Sequence, residues 1–120
     1  MSNSILVVED NEDLMVLFQL VLESAGYKVT AVSNGKDALD YLGDVQPQLI
    51  LMDIMMPGVS GLEITRKIKD ESDYRSLPVV LVSAIDCLRD EQLLSSKADD
   101  IIYKPFDIND LIGKVDQLIA

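Results

Sequence analysis

The sequence predicts an α/β fold in which five short parallel strands alternate with helices as a three-layer sandwich. Short apolar runs rich in β-branched residues recur at 5–8, 49–52, 79–82 and 101–103. Strands buried on both faces of a parallel sheet have this composition. Segments of helix length, with apolar residues at helical spacing, separate them. Each run also stops on a polar residue: Glu9-Asp10, Asp53, Ser83 and Lys104. The carboxyl ends of parallel strands all point one way, so these residues converge on the crevice where open α/β sheets bind ligands.

The first expected strand is 4–8. A helix over 12–25 follows, with Leu14, Phe18, Val21, Leu22 and Ala25 on one face, and Gly26 stops it. Residues 28–32 alternate and read as a shorter edge strand. Asn34 is placed to cap a second helix over 35–43 that buries Ala38, Leu39 and Leu42. The third strand is 48–52, followed by the loop Met55-Met56-Pro57-Gly58-Val59. Ser60 and Glu63 have capping-box spacing and open a third helix that runs to Lys69. Pro78 leads into a fourth strand, 78–82; a fourth helix is expected over 87–95 and a fifth strand over 100–103. Asp107 caps a last helix with Ile108, Leu111, Ile112, Val115 and Leu118 on its core face. No repeat or internal linker interrupts the pattern, so residues 1–120 read as one domain. Right-handed crossovers place helices on both faces of the sheet, while periodicity alone leaves the strand order open.

Hydrophobic residues make up 48% of the chain, enough for a core of useful size. The balance of 21 acids against 10 bases gives a net charge of −11. That disfavours nucleic acid and anionic membrane surfaces as direct partners. It favours a cation or a basic protein surface. No apolar run approaches the length of a membrane span. With Cys87 alone and no histidine, neither an internal disulfide nor a zinc site fits, and a reducing, cytoplasmic setting is expected. A metal here would be one that takes oxygen ligands, such as Mg²⁺.

Asp10 has two readings, helix cap or metal ligand. Asp53 follows four apolar residues and precedes Ile54, Met55 and Met56, so no helix begins there for it to cap. A carboxylate in an apolar stretch is costly unless paired or metal-bound. Glu9, Asp10 and Asp53 would repel one another unless a cation intervened, and ligation by Asp10, Asp53 and a backbone carbonyl would supply one. Lys104 reads either as a salt-bridge partner or as an ammonium aimed inward by a cis turn at Pro105. Ser83 is both a common turn residue and a candidate hydroxyl, and Ala84 beside it leaves room for a ligand. Gly58 and Gly61 read as ordinary turn glycines.

Taken in order, Glu9-Asp10, Asp53-Ile54-Met55-Met56-Pro57-Gly58, Gly61, Ser83-Ala84 and Lys104-Pro105-Phe106 resemble the receiver domain of two-component response regulators, across essentially the whole chain. The resemblance implies a flavodoxin-like fold with strand order 2-1-3-4-5. It implies that Asp53 takes a phosphoryl group from a phosphohistidine of a sensor histidine kinase or a histidine phosphotransfer protein. Glu9, Asp10, Asp53 and the Met55 backbone carbonyl would hold Mg²⁺. Lys104, the Ser83 hydroxyl and the Ala84 N–H would bind the phosphoryl oxygens. The output would pass to a downstream protein or effector domain, with phosphorylation-linked homodimerisation left open. Such a domain is not a turnover enzyme on an external substrate.

Three positions depart from the family pattern. Ile101 stands where an aromatic residue is usual, and the tyrosine, Tyr103, sits directly before Lys104. Lys97 stands at a common glycine position, and Ser60 at a common acid. The positions that flank the attacking water in the family hold Met55 and Ile85, neither of which hydrogen-bonds water, so a slowly hydrolysed acyl phosphate is expected. At roughly 100° per residue, Val16 and Leu20 project off the core stripe of the first helix. They read either as scattered surface apolar residues or as a docking face for the kinase or phosphotransfer partner.

Three rival functions compete. A flavodoxin-like electron carrier needs a Ser/Thr/Gly-rich phosphate loop where Glu9-Asp10 stands. An aspartyl-phosphate phosphatase of the haloacid-dehalogenase type needs a second Asp where Met55 stands. A pseudo-receiver would use the fold only for binding.

Overall fold

The computed structural model describes residues 3–56, 60–84 and 95–119. In chain order it forms β1 (Ser4–Val8), α1 (Glu12–Ser24), β2 (Lys28–Val32), α2 (Gly35–Asp44), β3 (Leu49–Asp53) and α3 (Gly61–Asp70). A 3-10 turn (Ser72–Tyr74), β4 (Val79–Ala84), β5 (Asp100–Lys104) and α4 (Ile108–Ile119) complete it. The helix expected over 87–95 lies outside the described residues except for Ser95, which is helical together with Ser96.

The strands pair in parallel in the order β2-β1-β3-β4-β5, as the resemblance implied. Alternate residues of each strand face opposite ways. Val7, Leu51 and Val82 pack with Phe18 and Leu22 of α1 and with Leu111 and Val115 of α4. Leu6, Ile50 and Leu81 pack with Leu42 of α2 and with Ile64 and Ile68 of α3. Two helical layers thus cover the sheet, which explains why the central strands are apolar on both faces.

The helix ends follow local chemistry. Gly26 has φ +100, Tyr27 N–H reaches Leu22 O at 3.1 Å and Gly26 N–H reaches Glu23 O at 3.0 Å, a Schellman ending for α1. Asn34 Oδ1 accepts from Asp37 N–H at 2.8 Å, and Asp107 Oδ1 from Asn109 N–H at 2.7 Å. Ser60 caps α3 through Leu62 N–H at 3.1 Å rather than through Glu63.

Three residues expected in the core are exposed. Ala25 is the C-cap of α1, beyond its last turn. Leu39 follows Ala38 around α2 and lies outside the buried stripe, 37% exposed. Ile108 is the first residue of α4 and 46% exposed; a helical side chain covers the turn before its own, and here no such turn exists. The strands also run on into their polar ends. Asp53, Ser83 and Lys104 are strand residues, not the first residues after strands.

At the opposite edge of the sheet a lysine is buried. Lys69 Nζ donates to Leu77 O at 2.6 Å, to Arg75 O at 3.3 Å and to Asp99 Oδ2 at 2.6 Å. Asp99 Oδ2 also accepts from Val79 N–H at 2.8 Å. Every ammonium proton therefore has an acceptor, the condition on which a charge is tolerated at 4% exposure. This network ties the end of α3 to the starts of β4 and β5. No helix among the described residues is long and apolar enough to cross a membrane.

Candidate functional site

Strand register assembles the site. Val8 pairs with Met52, so Glu9 stands level with Asp53. Asp53 pairs with Val82, one residue before Ser83, and Ala84 pairs with Lys104. Four sheet strands, separated in sequence by crossovers, thus deliver their polar ends to one rim.

Asn11 removes one of the two readings of Asp10, that of helix cap. Its Oδ1 accepts from Leu14 N–H at 2.9 Å and caps α1. Asp10 is not the cap, and its exposed carboxylate is left facing the acidic cluster. Carboxylate oxygens of Glu9, Asp10 and Asp53 lie within 4.8 Å of one another. Glu9 is 1% exposed; its Oε2 accepts from Asn11 N–H at 3.1 Å, while its Oε1 has no hydrogen-bond partner. Burial, first, pushes the Glu9 carboxyl up to about 8; the neighbouring Asp53 carboxylate adds to this, against Asn11 N–H and Lys104. Such a carboxyl keeps its proton beside a second carboxylate until a cation replaces it. An all-oxygen donor set with one buried, unpartnered oxygen fits a hard divalent ion.

Asp53 is 3% exposed. Its Oδ1 accepts from Met55 N–H at 3.2 Å and lies 3.8 Å from Lys104 Nζ. The Lys104–Pro105 peptide is cis. Phe106 stacks on Phe18 of α1 with ring centroids 5.3 Å apart, which anchors the segment following Lys104. Ser83 is fully buried in β4, and Ala84 ends that strand. The Met55 side chain is 62% exposed. Pro57, Gly58 and Ile85 lie outside the described residues.

Gly61 has a role that its reading as a turn glycine missed. A Cβ there would sit on the Asp53 carbonyl oxygen and 2.9 Å from both Asp53 C and Ile54 Cα. The sequence carries one signal of this: a glycine at the first helical position, where the cap is already supplied by Ser60.

A sequence model of the response regulator receiver domain matches residues 5–116. The chain belongs to that family. This receiver domain is 40% identical over 109 residues to the polar-differentiation response regulator DivK of Brucella anthropi, covering 90% of this chain and 89% of the relative. Among solved structures it is similar to response regulator TrrA of Thermotoga maritima in complex with Mg²⁺–BeF (TM-score 0.87, 32% identity, 98% of this chain and 99% of that one). It is also similar to the receiver domain of a Pseudomonas aeruginosa sensor histidine kinase with a magnesium ion in its active-site cleft (TM-score 0.89, 29% identity, 99% and 98% covered).

The departures from the family pattern have structural outcomes. Ile101 packs against the α2–α3 core, and Tyr103, in register with Ser83, is 42% exposed. Lys97 adopts φ 63, the left-handed region that glycine occupies freely. Its ammonium pairs with Asp70 at 2.8 Å. On α1, Val16 and Leu20 are 52% and 63% exposed, joined by Leu17 at 39%.

Proposed function

We propose that residues 1–120 form one cytoplasmic receiver domain in which Asp53 accepts a phosphoryl group from a histidine kinase or phosphotransfer protein. The observation that supports this best is the buried Asp53 carboxylate with Lys104 Nζ 3.8 Å from its Oδ1. In the transfer, an Asp53 carboxylate oxygen forms a bond to the phosphorus of phosphohistidine. The P–N bond breaks, and its electron pair stays on the partner's imidazole nitrogen. The charge in the transition state lies on three equatorial oxygens, so the protein contributes by positioning and neutralisation. Lys104 supplies one cation, and the Ser83 hydroxyl and Ala84 N–H supply donors. Glu9, Asp10, Asp53 and the Met55 carbonyl would hold Mg²⁺, which would supply the second cation. The added negative charge then draws the β4 and β5 ends toward Asp53 and biases a surface that a downstream protein reads.

The exposed Val16, Leu17 and Leu20 suit docking of the phosphodonor protein beside the site. Incubation with acetyl phosphate and Mg²⁺ tests the chemistry. Wild type should gain the mass of one phosphoryl group, Asp53→Asn should not, and chelation of Mg²⁺ should stop the gain. An unchanged wild-type mass overturns the reading in favour of a pseudo-receiver. The same samples on a sizing column show whether phosphorylation drives dimerisation.

A further inference from the structure

We infer that Gly61 is a positioning residue for phosphoryl transfer, because the first turn of α3 closes directly on the backbone of Asp53. This rests on the reading of Asp53 as phosphoacceptor.

Two glycines begin helices on the same face of the sheet, and they differ in what surrounds them. At Gly35, the first residue of α2, a Cβ would meet the Cδ1 and Cγ1 of Ile64, the latter at 2.6 Å. Those atoms belong to a side chain of the α2–α3 core and not to the backbone of the site. At Gly61 a Cβ would meet the carbonyl oxygen and carbon of Asp53 and the Cα of Ile54. Those atoms are backbone, held by the sheet and by three hydrogen bonds. Ile54 N–H donates to Val82 O at 3.1 Å, while Gly61 N–H, at 3.1 Å, and Met56 N–H, at 3.2 Å, donate to Ile54 O. A side chain at 61 therefore has no soft neighbour to displace. Either α3 retreats or the peptide after Asp53 turns. Turning that peptide moves the Met55 N–H that holds Asp53 Oδ1 at 3.2 Å, and with it the spacing to Lys104. Misplacement of a reacting atom by about 1 Å costs up to about 100-fold in rate.

Gly61→Ala and Gly35→Ala separate positioning from loss of stability. Both should lower the urea midpoint. Gly61→Ala should in addition slow phosphorylation at saturating acetyl phosphate and Mg²⁺ by about ten-fold or more. It should also weaken Mg²⁺ binding measured without any phosphodonor. Gly35→Ala should leave both within about two-fold of wild type, since its clash falls on the Ile64 side chain and not on the Asp53 backbone. A folded Gly61→Ala protein with wild-type rate and Mg²⁺ affinity overturns the inference. If Gly61→Ala fails to fold, wild-type NMR decides: the Gly61 amide resonance should move on adding Mg²⁺ and beryllofluoride, and an unmoved resonance overturns the inference. Absence of phosphorylation in wild type would instead remove the functional reading beneath it.

Discussion

Lys104 Nζ stands 3.8 Å from Asp53 Oδ1, too far for a strong hydrogen bond and near enough to offset the carboxylate charge. In the proposed transfer, the ammonium turns across this gap toward the arriving phosphoryl oxygens. Lys104→Met should therefore slow phosphorylation by acetyl phosphate by about 10- to 1000-fold, while Mg²⁺ affinity changes little. A rate equal to wild type, measured by intact mass against time, would show that Lys104 is an ordinary salt-bridge partner.

On the proposed chemistry, Met55 sets the lifetime of the aspartyl phosphate. Its N–H holds Asp53 Oδ1, and its exposed side chain offers water no hydrogen bond. The phosphorylated protein should decay over many minutes to hours once the donor is removed. Met55→Asn, which can orient water, should shorten the half-life by about ten-fold. Decay of the wild type within seconds would sink this account.

The docking face proposed on α1 predicts that protein donors and small ones will respond differently to its loss. Val16→Ser with Leu20→Ser removes surface that touches neither the core nor Asp53. Transfer from the phosphohistidine partner should slow by about ten-fold or more, with acetyl phosphate labelling unchanged. Equal rates with both donors reject the docking face.

Tyr27 gives the fold an alkaline limit. Its hydroxyl donates to Asp116 of α4. Burial, then the hydrogen bond and the charge of Asp116, push the phenol up to about 12. The folded chain keeps this proton after the unfolded chain has lost it near pH ~10. The contribution to stability is thus complete below pH ~10 and disappears as the pH rises through about 12. Urea unfolding at a series of alkaline pH values should show a steeper loss for wild type than for Tyr27→Phe. Parallel curves would contradict it.

Removing Lys69 should cost more than any exposed ion pair. Lys69→Met leaves Leu77 O and Asp99 Oδ2 without a donor that each now has. The loss should be about 2–4 kcal/mol, tempered because Asp99 is 35% exposed. A change below about 1 kcal/mol, the range of surface pairs, would mean water replaces the ammonium.

These sites were legible in the sequence to different degrees. Glu9, Asp53, Ser83 and Lys104 were legible because apolar strands stop on them, and parallel register does the rest. Asp10 was ambiguous until Asn11 proved to be the cap. The strand order came from family resemblance, since hydrophobic period is the same for a central strand wherever it sits. Lys69 was hidden because a lysine in the last turn of a helix ordinarily faces solvent. Gly61 was hidden because the Asp53 backbone that excludes a side chain lies eight positions earlier and meets it only in the folded chain. Leu39 and Ile108 show the converse, apolar residues whose exposure depends on where a helix begins and which arc it buries.

The Lys69 network also has a practical consequence. It clamps the margin of the sheet where β4 and β5 begin, the margin away from Asp53. Gln46 and Ser76, exposed just ahead of β3 and β4, sit on the clamped side. A fluorophore, affinity tag or surface tether joined there adds no load to the rim around Asp53.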